Sequence, residues 1–459
     1  MSVPAVSRPT IFAPATAAGR AAIAVVRLSG PRAGGVLAGL CAKPPAWRPR
    51  ARRATRARLI DPRSQDALDA ALVLWFPGPA SFTGEDMAEL HLHGGRAVLA
   101  RVLAALGRCE GLRLATPGEF TRRAFDAGKL DLTEVEGLAD LVAAETEAQA
   151  RQALRQLSGE LGRLYESWRA RLVRALAHAE AEIDFPDEDL PAGLIAGLRP
   201  ELAALIRHIE AHLADDRRGE RLRDGVSIAI IGPPNAGKSS LLNALARREA
   251  AIVSTVAGTT RDVIEVHLDL GGYPAIVADT AGLRFMTATS NDDHAAIERE
   301  GMRRALARAD AADLKLLLLD ASTLAEDQPL DPALARLVDR RTLVVVNKID
   351  LASGSTPSSR WRISVKTGAG VSELISALSA EVAALLAVED SAAPVLTRAR
   401  HREALEACLA ALRRAVAADA AELFTEDLRL AARALGRITG RVGVDDILDI
   451  VFKEFCLGK

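Results

Sequence analysis

The chain has 459 residues, too many for one ordinary core, so two to four domains are expected. Its 49% hydrophobic and 26% charged residues describe a globular protein and exclude a disordered one. The net charge of −1 excludes no class of partner, because residues 1–60 alone carry eleven Lys or Arg and no Asp or Glu. Within that stretch Arg50, Arg52, Arg53, Arg56 and Arg58 form a short run. It reads either as an attractor for a polyanion or as a solvated Arg-rich loop.

Short β-type runs (Thr10-Ile-Phe-Ala, Ala22 to Leu28, Ala71 to Phe76) and Gly/Pro turns such as Pro77-Gly78-Pro79 place an α/β or α+β domain over residues 1–130. The acid-free start has the composition of a transit peptide, yet strand-like sequence begins almost at once and leaves little room for a removable leader. Residues 131–224 turn helical; Leu202, Leu205, Ile206, Ile209 and Leu213 mark one apolar helix face. Alternating strands and helices then run over 225–385, with strands at Ser227 to Ile231, Ala275 to Ala278, Leu314 to Leu319 and Leu343 to Val346, the pattern of a parallel sheet. After a linker at 389–394 the helical pattern resumes, so residues 386–459 form a second helical segment. Helical, α/β, helical suggests an insertion into one helical domain; a string of four beads is the alternative. Cys41, Cys109, Cys408 and Cys456 show no CxxC spacing, which argues against disulfides and a thiolate zinc site. No apolar run approaches the ~20 residues of a membrane span. A cytoplasmic protein is expected.

Gly232-Pro-Pro-Asn235-Ala236-Gly237-Lys238-Ser239-Ser240 lies between a strand and a helix, as a phosphate-cradling loop must. Its backbone N–H groups approach the phosphates, Lys238 reaches the outer ones and Ser239 can ligate magnesium. Base choice is assigned to Asn347-Lys348-Ile349-Asp350, directly after a buried strand. A carboxylate at Asp350 accepts the paired N1–H and 2-amino donors of guanine, a pair adenine lacks. Ser364-Val365-Lys366 is the next base-edge element. Between these stand Ser254-Thr255-Val256-Ala257-Gly258-Thr259-Thr260, with Thr260 a second magnesium ligand, and Asp279-Thr280-Ala281-Gly282, with Asp279 holding magnesium through water and Gly282 facing the γ-phosphate. The order is that of a small GTPase. Ras-type enzymes place a water-orienting Gln after this glycine; here Leu283 stands, which can neither donate nor accept a hydrogen bond. A glutamate from the polar stretch 284–300 is the natural substitute.

These motifs and both ends of the chain resemble the MnmE (TrmE) family of tRNA-modifying GTPases of bacteria and organelles, over essentially the whole length. The marks are Ala22-Ile-Ala-Val-Val-Arg-Leu-Ser-Gly30, Phe76-Pro-Gly-Pro-Ala-Ser-Phe-Thr-Gly-Glu-Asp86, Pro117-Gly-Glu-Phe-Thr121, Lys129-Leu-Asp-Leu132, Ile183-Asp-Phe-Pro-Asp-Glu188 and the terminal Phe455-Cys-Leu-Gly-Lys459. Leu457 departs mildly from the family's usual isoleucine. The resemblance implies an N-terminal folate-binding and dimerisation domain, a helical domain in two chain segments, and a GTPase inserted between them. It implies a homodimer working with an MnmG-type FAD protein, in a heterotetramer or larger complex. The reaction would modify C5 of the wobble uridine of certain tRNAs, drawing on 5-formyltetrahydrofolate or a related tetrahydrofolate. Folate contacts would be Arg27, Glu89, Lys129 and Lys459. Potassium would be held by Asn235, Thr259 and the carbonyls of Ser254 and Val256, and Glu298 would orient the attacking water. A cation beside the phosphates can take the part of an arginine finger. Cys456 is either a nucleophile toward the uridine or a small buried apolar residue. A ribosome-assembly or translation-associated switch GTPase is the rival function, disfavoured by the lack of a KH-type or aromatic RNA-binding appendage.

Overall fold

The computed structural model describes residues 8–184, 194–233, 235–248, 250–252, 265–279, 307–322, 335–336, 338–351, 361–386, 394–442, and 448, 451, 452, 455 and 458. Their contacts divide the chain into two units. The first takes residues 1–139, 156–190 and 419–459; the second takes 140–155 and 191–418.

The first unit is built on a six-stranded sheet. Its strands are β1 (Thr10–Pro14), β2 (Ile23–Ser29), β3 (Thr55–Ile60), β4 (Ala67–Phe76), β5 (Met87–His93) and β6 (Leu112–Leu114), in spatial order β3-β4-β5-β2-β1-β6. All neighbours are antiparallel except β1 and β6, which makes this domain α+β. Alternation explains its one-sided core: Val26, Leu28, Val73, Trp75, Leu90 and Leu92 are buried on one face against α1 (Ala33–Leu40) and α2 (Arg96–Gly107). A helix pair joins residues far apart in sequence. Tyr165, Trp168, Leu172, Ala175 and Ala179 of the helix Glu160–Asp184 form one buried stripe, and Phe424, Leu428, Ala431, Leu435 and Ile438 form that of its partner, Ala421–Thr439. Burying one such leucine contributes about 1.5–3 kcal/mol.

The second unit carries a six-stranded sheet of β7 (Val226–Ile231), β8 (Glu265–Leu270), β9 (Tyr273–Asp279), β10 (Leu314–Asp320), β11 (Thr342–Asn347) and β12 (Trp361–Arg362), in order β12-β11-β10-β7-β9-β8. Every pairing is parallel except β8 with β9. The near-continuous Val/Ile/Leu of β7 and β10 follows from burial on both faces. A core from Ile228, Ile230, Leu316 and Leu318 packs against Leu241 and Leu245 of the helix Lys238–Ala246 and against Leu374 and Leu378 of the helix Val371–Leu386. A second contacting pair, Leu194–Leu213 with Ala399–Ala417, buries Leu202, Leu205 and Ile209 on one helix and Leu405, Leu409 and Leu412 on the other. Each helix pair thus combines a helix that precedes the nucleotide sheet with one that follows it.

Candidate functional site

In the second unit, β7 runs straight into the phosphate loop and the helix Lys238–Ala246 leaves it. Gly237 has φ 99°, and a Cβ there would stand 2.4 Å from Asn347 Nδ2; only glycine lets the loop close this far. Asn235 also has positive φ, at 61°, and is exposed beside the buried Ala236. Lys238 is almost buried, and its ammonium donates to the carbonyls of Gly232 at 2.9 Å and Pro233 at 2.8 Å. Ser239 and Ser240 stand exposed in the first helical turn, where the N-terminal end favours an anion.

The base-side residues assemble on the same edge. Asn347 ends β11 and is 2% exposed. Its Nδ2 donates to Ala236 O at 2.8 Å, while its Oδ1 accepts the Val365 N–H at 3.1 Å. One side chain therefore ties the phosphate loop to the Ser364-Val365 loop. Ser364 Oγ donates to Asp350 Oδ1 at 2.6 Å, which orients an otherwise exposed carboxylate. Lys348 Nζ pairs with Asp320 Oδ2 at 2.6 Å. Burial pushes the Asp320 carboxyl up, but Lys348 and Ser322 outweigh it and hold the group below the ordinary carboxylate range. Asp320 was not anticipated from sequence; its place at the C-terminal end of a central strand is the signal that marks it. Asp279 ends β9, in register with Ile230 of β7, so its backbone lies one strand from the phosphate loop. Ser254 through Thr260, Thr280, Ala281, Gly282, Leu283 and Glu298 lie outside the described residues.

A second constellation occupies the first unit. Arg27 on β2 faces Glu89 on β5 in register, and its Nε and Nη2 donate to Glu89 Oε1 at 3.1 and 2.9 Å. Arg27 also stands 5.9 Å from the Phe82 ring and 5.8 Å from the Phe120 ring, a spacing that favours a cation over aromatic faces. Its Nη1 donates to Gly458 O at 3.1 Å, bringing the chain's end to the site. Gly458 has φ 94°, and a Cβ there would meet Pro14 O at 2.2 Å. Lys129 is exposed, with its Cε beside Gly84 in the loop that carries Phe82. Cys456 and Lys459 lie outside the described residues.

That loop is braced from beneath by residues sequence reasoning did not assign. Ser29 Oγ and Thr83 Oγ1 share a hydrogen bond of 2.7 Å, Ser29 Oγ donates to Glu85 Oε2 at 2.7 Å, and Arg123 Nη1 donates to the same oxygen at 2.8 Å. Arg123 pairs as well with Glu119 at 2.9 Å. Burial pushes the Glu119 carboxyl up, but hydrogen bonds from Arg113, the Thr116 N–H and Arg123 bring it down to about 2.

Among the described residues, no helix is long and apolar enough to cross a membrane. The family model for the N-terminus of the GTP-binding protein TrmE matches residues 10–129, and that for the MnmE helical domain matches 132–456. A tRNA modification GTPase MnmE of Parvibaculum lavamentivorans is 60% identical over 454 residues, covering 98% of this chain and 100% of the relative. That of Rhodospirillum rubrum is 56% identical over 468 residues, with 98% and 99% covered. The mitochondrial 5-taurinomethyluridine-[tRNA] synthase subunit GTPB3 of Rattus norvegicus is 48% identical over 469 residues, covering 98% of this chain and 93% of that protein. With identity of this order along nearly its full length, and a phosphate loop braced to a carboxylate-bearing base loop, the chain belongs to the MnmE family of tRNA modification GTPases.

Proposed function

We propose that this chain is a potassium-dependent GTPase that works as a cytoplasmic homodimer with an FAD-dependent partner of the MnmG type. Together they place an aminomethyl-type group on C5 of the wobble uridine of certain tRNAs, with a tetrahydrofolate as one-carbon donor. The observation that carries the nucleotide half is the Asn347 bridge, which holds the phosphate loop and the Asp350–Ser364 pair as one preformed site. On GTP binding Lys238 exchanges the carbonyls of Gly232 and Pro233 for phosphate oxygens. Ser239 and Thr260 hold magnesium, and Asn235, with Thr259 and the Ser254 and Val256 carbonyls, holds potassium. The exposed, positive-φ placement of Asn235 beside the phosphate loop supports that role. A bound alkali cation supplies positive charge to the transition state. Glu298 orients the water, since Leu283 cannot.

The reading of uridine chemistry rests on the name of the rat relative, a taurinomethyluridine synthase subunit. Arg27, Glu89, Lys129 and Lys459 hold the folate: Arg27 offers a cation beside the Phe82 and Phe120 rings, and Glu89 an acceptor for ring N–H donors. A bound tetrahydrofolate supplies the one-carbon unit, and Cys456 is a candidate nucleophile toward the uridine. The 225–385 nucleotide domain is inserted between helical segments 131–224 and 386–459, and the 1–130 domain carries the dimer contact.

Mass analysis of wobble nucleosides from a deletion strain is the direct test. The modified uridine is lost and returns with the wild-type gene; an unaltered nucleoside profile overturns the reading. Replacing potassium with sodium lowers the GTP hydrolysis rate by about tenfold or more, as expected for a group that acts on transition-state charge. Equal rates in the two salts remove the potassium site.

A further inference from the structure

The acid-free run of the N-terminal region has a tertiary counterpart. At the end of β3 the chain turns through residues 61–66 into β4, and this turn, α1 and the end of α2 line an open cavity of about 570 Å³. Arg32, Arg48, Arg63 and Arg108 line it, with Asp61 and Glu110 as its carboxylates. The four guanidinium groups are held from behind. Arg32 donates to Glu110 O at 2.5 Å, Arg63 to Arg108 O at 2.8 Å, and Arg48 to Pro45 O and Trp47 O at 2.7 Å each. Arg48 also lies over the Trp75 ring at 5.3 Å, and Arg108 pairs with Asp61. These bonds engage one or two of the five N–H donors of each guanidinium. They fix its plane, which lowers the entropy cost of meeting an anion.

Asp61 balances Arg108 alone. Its carboxyl is held below the usual range by the Arg63 N–H first, then by Arg108. Glu110 sits at the rim, its side chain 92% exposed and its carboxylate 3.9 Å from Arg32, so two carboxylates face four arginines and the cavity keeps an excess of positive charge. The strand leading into it carries charge of its own on the other face of the sheet. β3 is the sheet edge; Ala57 and Leu59 pack toward α1 and α2, and Arg56 and Arg58 are exposed on the opposite face. Charge on an edge strand also deters pairing with other chains. That accounts for Arg56 and Arg58, but not for four arginines converging on a cavity behind the sheet. Among the described residues no aromatic or Asn/Gln side chain lines the cavity, so it is suited to phosphates and not to bases.

We propose that this arginine cavity binds the phosphodiester backbone of tRNA. The proposal rests on the tRNA reading above and assigns it a surface. Such a surface positions the RNA without reading its sequence.

The test compares the full-length protein with a double variant, Arg32→Gln with Arg63→Gln, in tRNA binding by fluorescence anisotropy between ~50 and ~200 mM KCl. Wild-type binding falls steeply with salt. In the variant binding weakens about tenfold or more, for unrelated tRNAs alike, and the slope of log K against log salt falls by about 1 per arginine removed. Neutralising Arg151, exposed on the helix Glu147–Leu157, leaves both unchanged. GTP hydrolysis and the melting temperature of the double variant report that it is folded. Equal affinity and equal slope in wild type and double variant overturn the proposal. So does a variant that keeps tRNA binding but loses a wild-type shift in melting temperature caused by inorganic phosphate, which would make the cavity a small-anion site. A wild-type chain that binds no tRNA refutes the broader functional reading instead.

Discussion

Asp350→Asn lowers kcat/KM for GTP by about four orders of magnitude and makes xanthosine triphosphate the better substrate, measured as hydrolysis of the two nucleotides side by side. An ionised carboxylate only accepts hydrogen bonds, and guanine offers it two donors in a row, N1–H and the 2-amino group. Ser364 Oγ, 2.6 Å from Asp350 Oδ1, fixes how that carboxylate is presented. Asparagine keeps the shape but replaces one acceptor with an N–H₂. Its donor then faces the 2-amino donor of guanine, and one group is left without a partner in a desolvated contact. Xanthine carries a carbonyl where guanine carries the amine, so donor meets acceptor again. Asp350 is exposed, so the fold should be indifferent to the change. Unchanged discrimination between the two nucleotides would remove Asp350 from base recognition.

Asn347→Leu should cost more than a lost contact. The side chain is 2% exposed and joins Ala236 O, at 2.8 Å, to the Val365 N–H, at 3.1 Å. Leucine has the same number and branching of side-chain heavy atoms but can satisfy neither group. Each buried group left unpaired costs about 1–3 kcal/mol. The melting temperature of the nucleotide-free protein therefore drops. GTP affinity falls by about thirtyfold or more, the equivalent of roughly 2 kcal/mol, because the phosphate and base loops no longer hold a common geometry. The two readouts answer different questions. A lower melting temperature with unaltered GTP affinity would show that Asn347 only braces the fold. No change in either would mean that the bridge does not contribute.

How much of this was legible in the sequence depends on the range of the physics involved. The phosphate loop was readable because its demands are local: a glycine at φ 99°, a strand before it and a helix after it. The strands at Ser227 to Ile231 and Leu343 to Val346 were readable because a doubly buried strand needs an unbroken apolar run. Asp350 could be proposed for the base because the chemistry of guanine calls for a carboxylate. None of these inferences needs to know which strand neighbours which.

The brace at Asn347 does. It joins residues 111 apart in sequence, and it exists because β10 sits between β7 and β11, which carries two loops to one sheet edge. The contact of Arg27 with Gly458 spans 431 residues and depends on a glycine, the last residue but one, that alone can pass Pro14. Arg32, Arg48, Arg63 and Arg108 are scattered through the sequence, and only the turn after β3 and the ends of two helices gather them around one cavity. The sequence by itself determined which chemistries the chain can perform, since those follow from residue type and local backbone. Which of its residues share a site was decided by strand order, register and helix pairing, because contacts between distant residues form only when the whole core is buried.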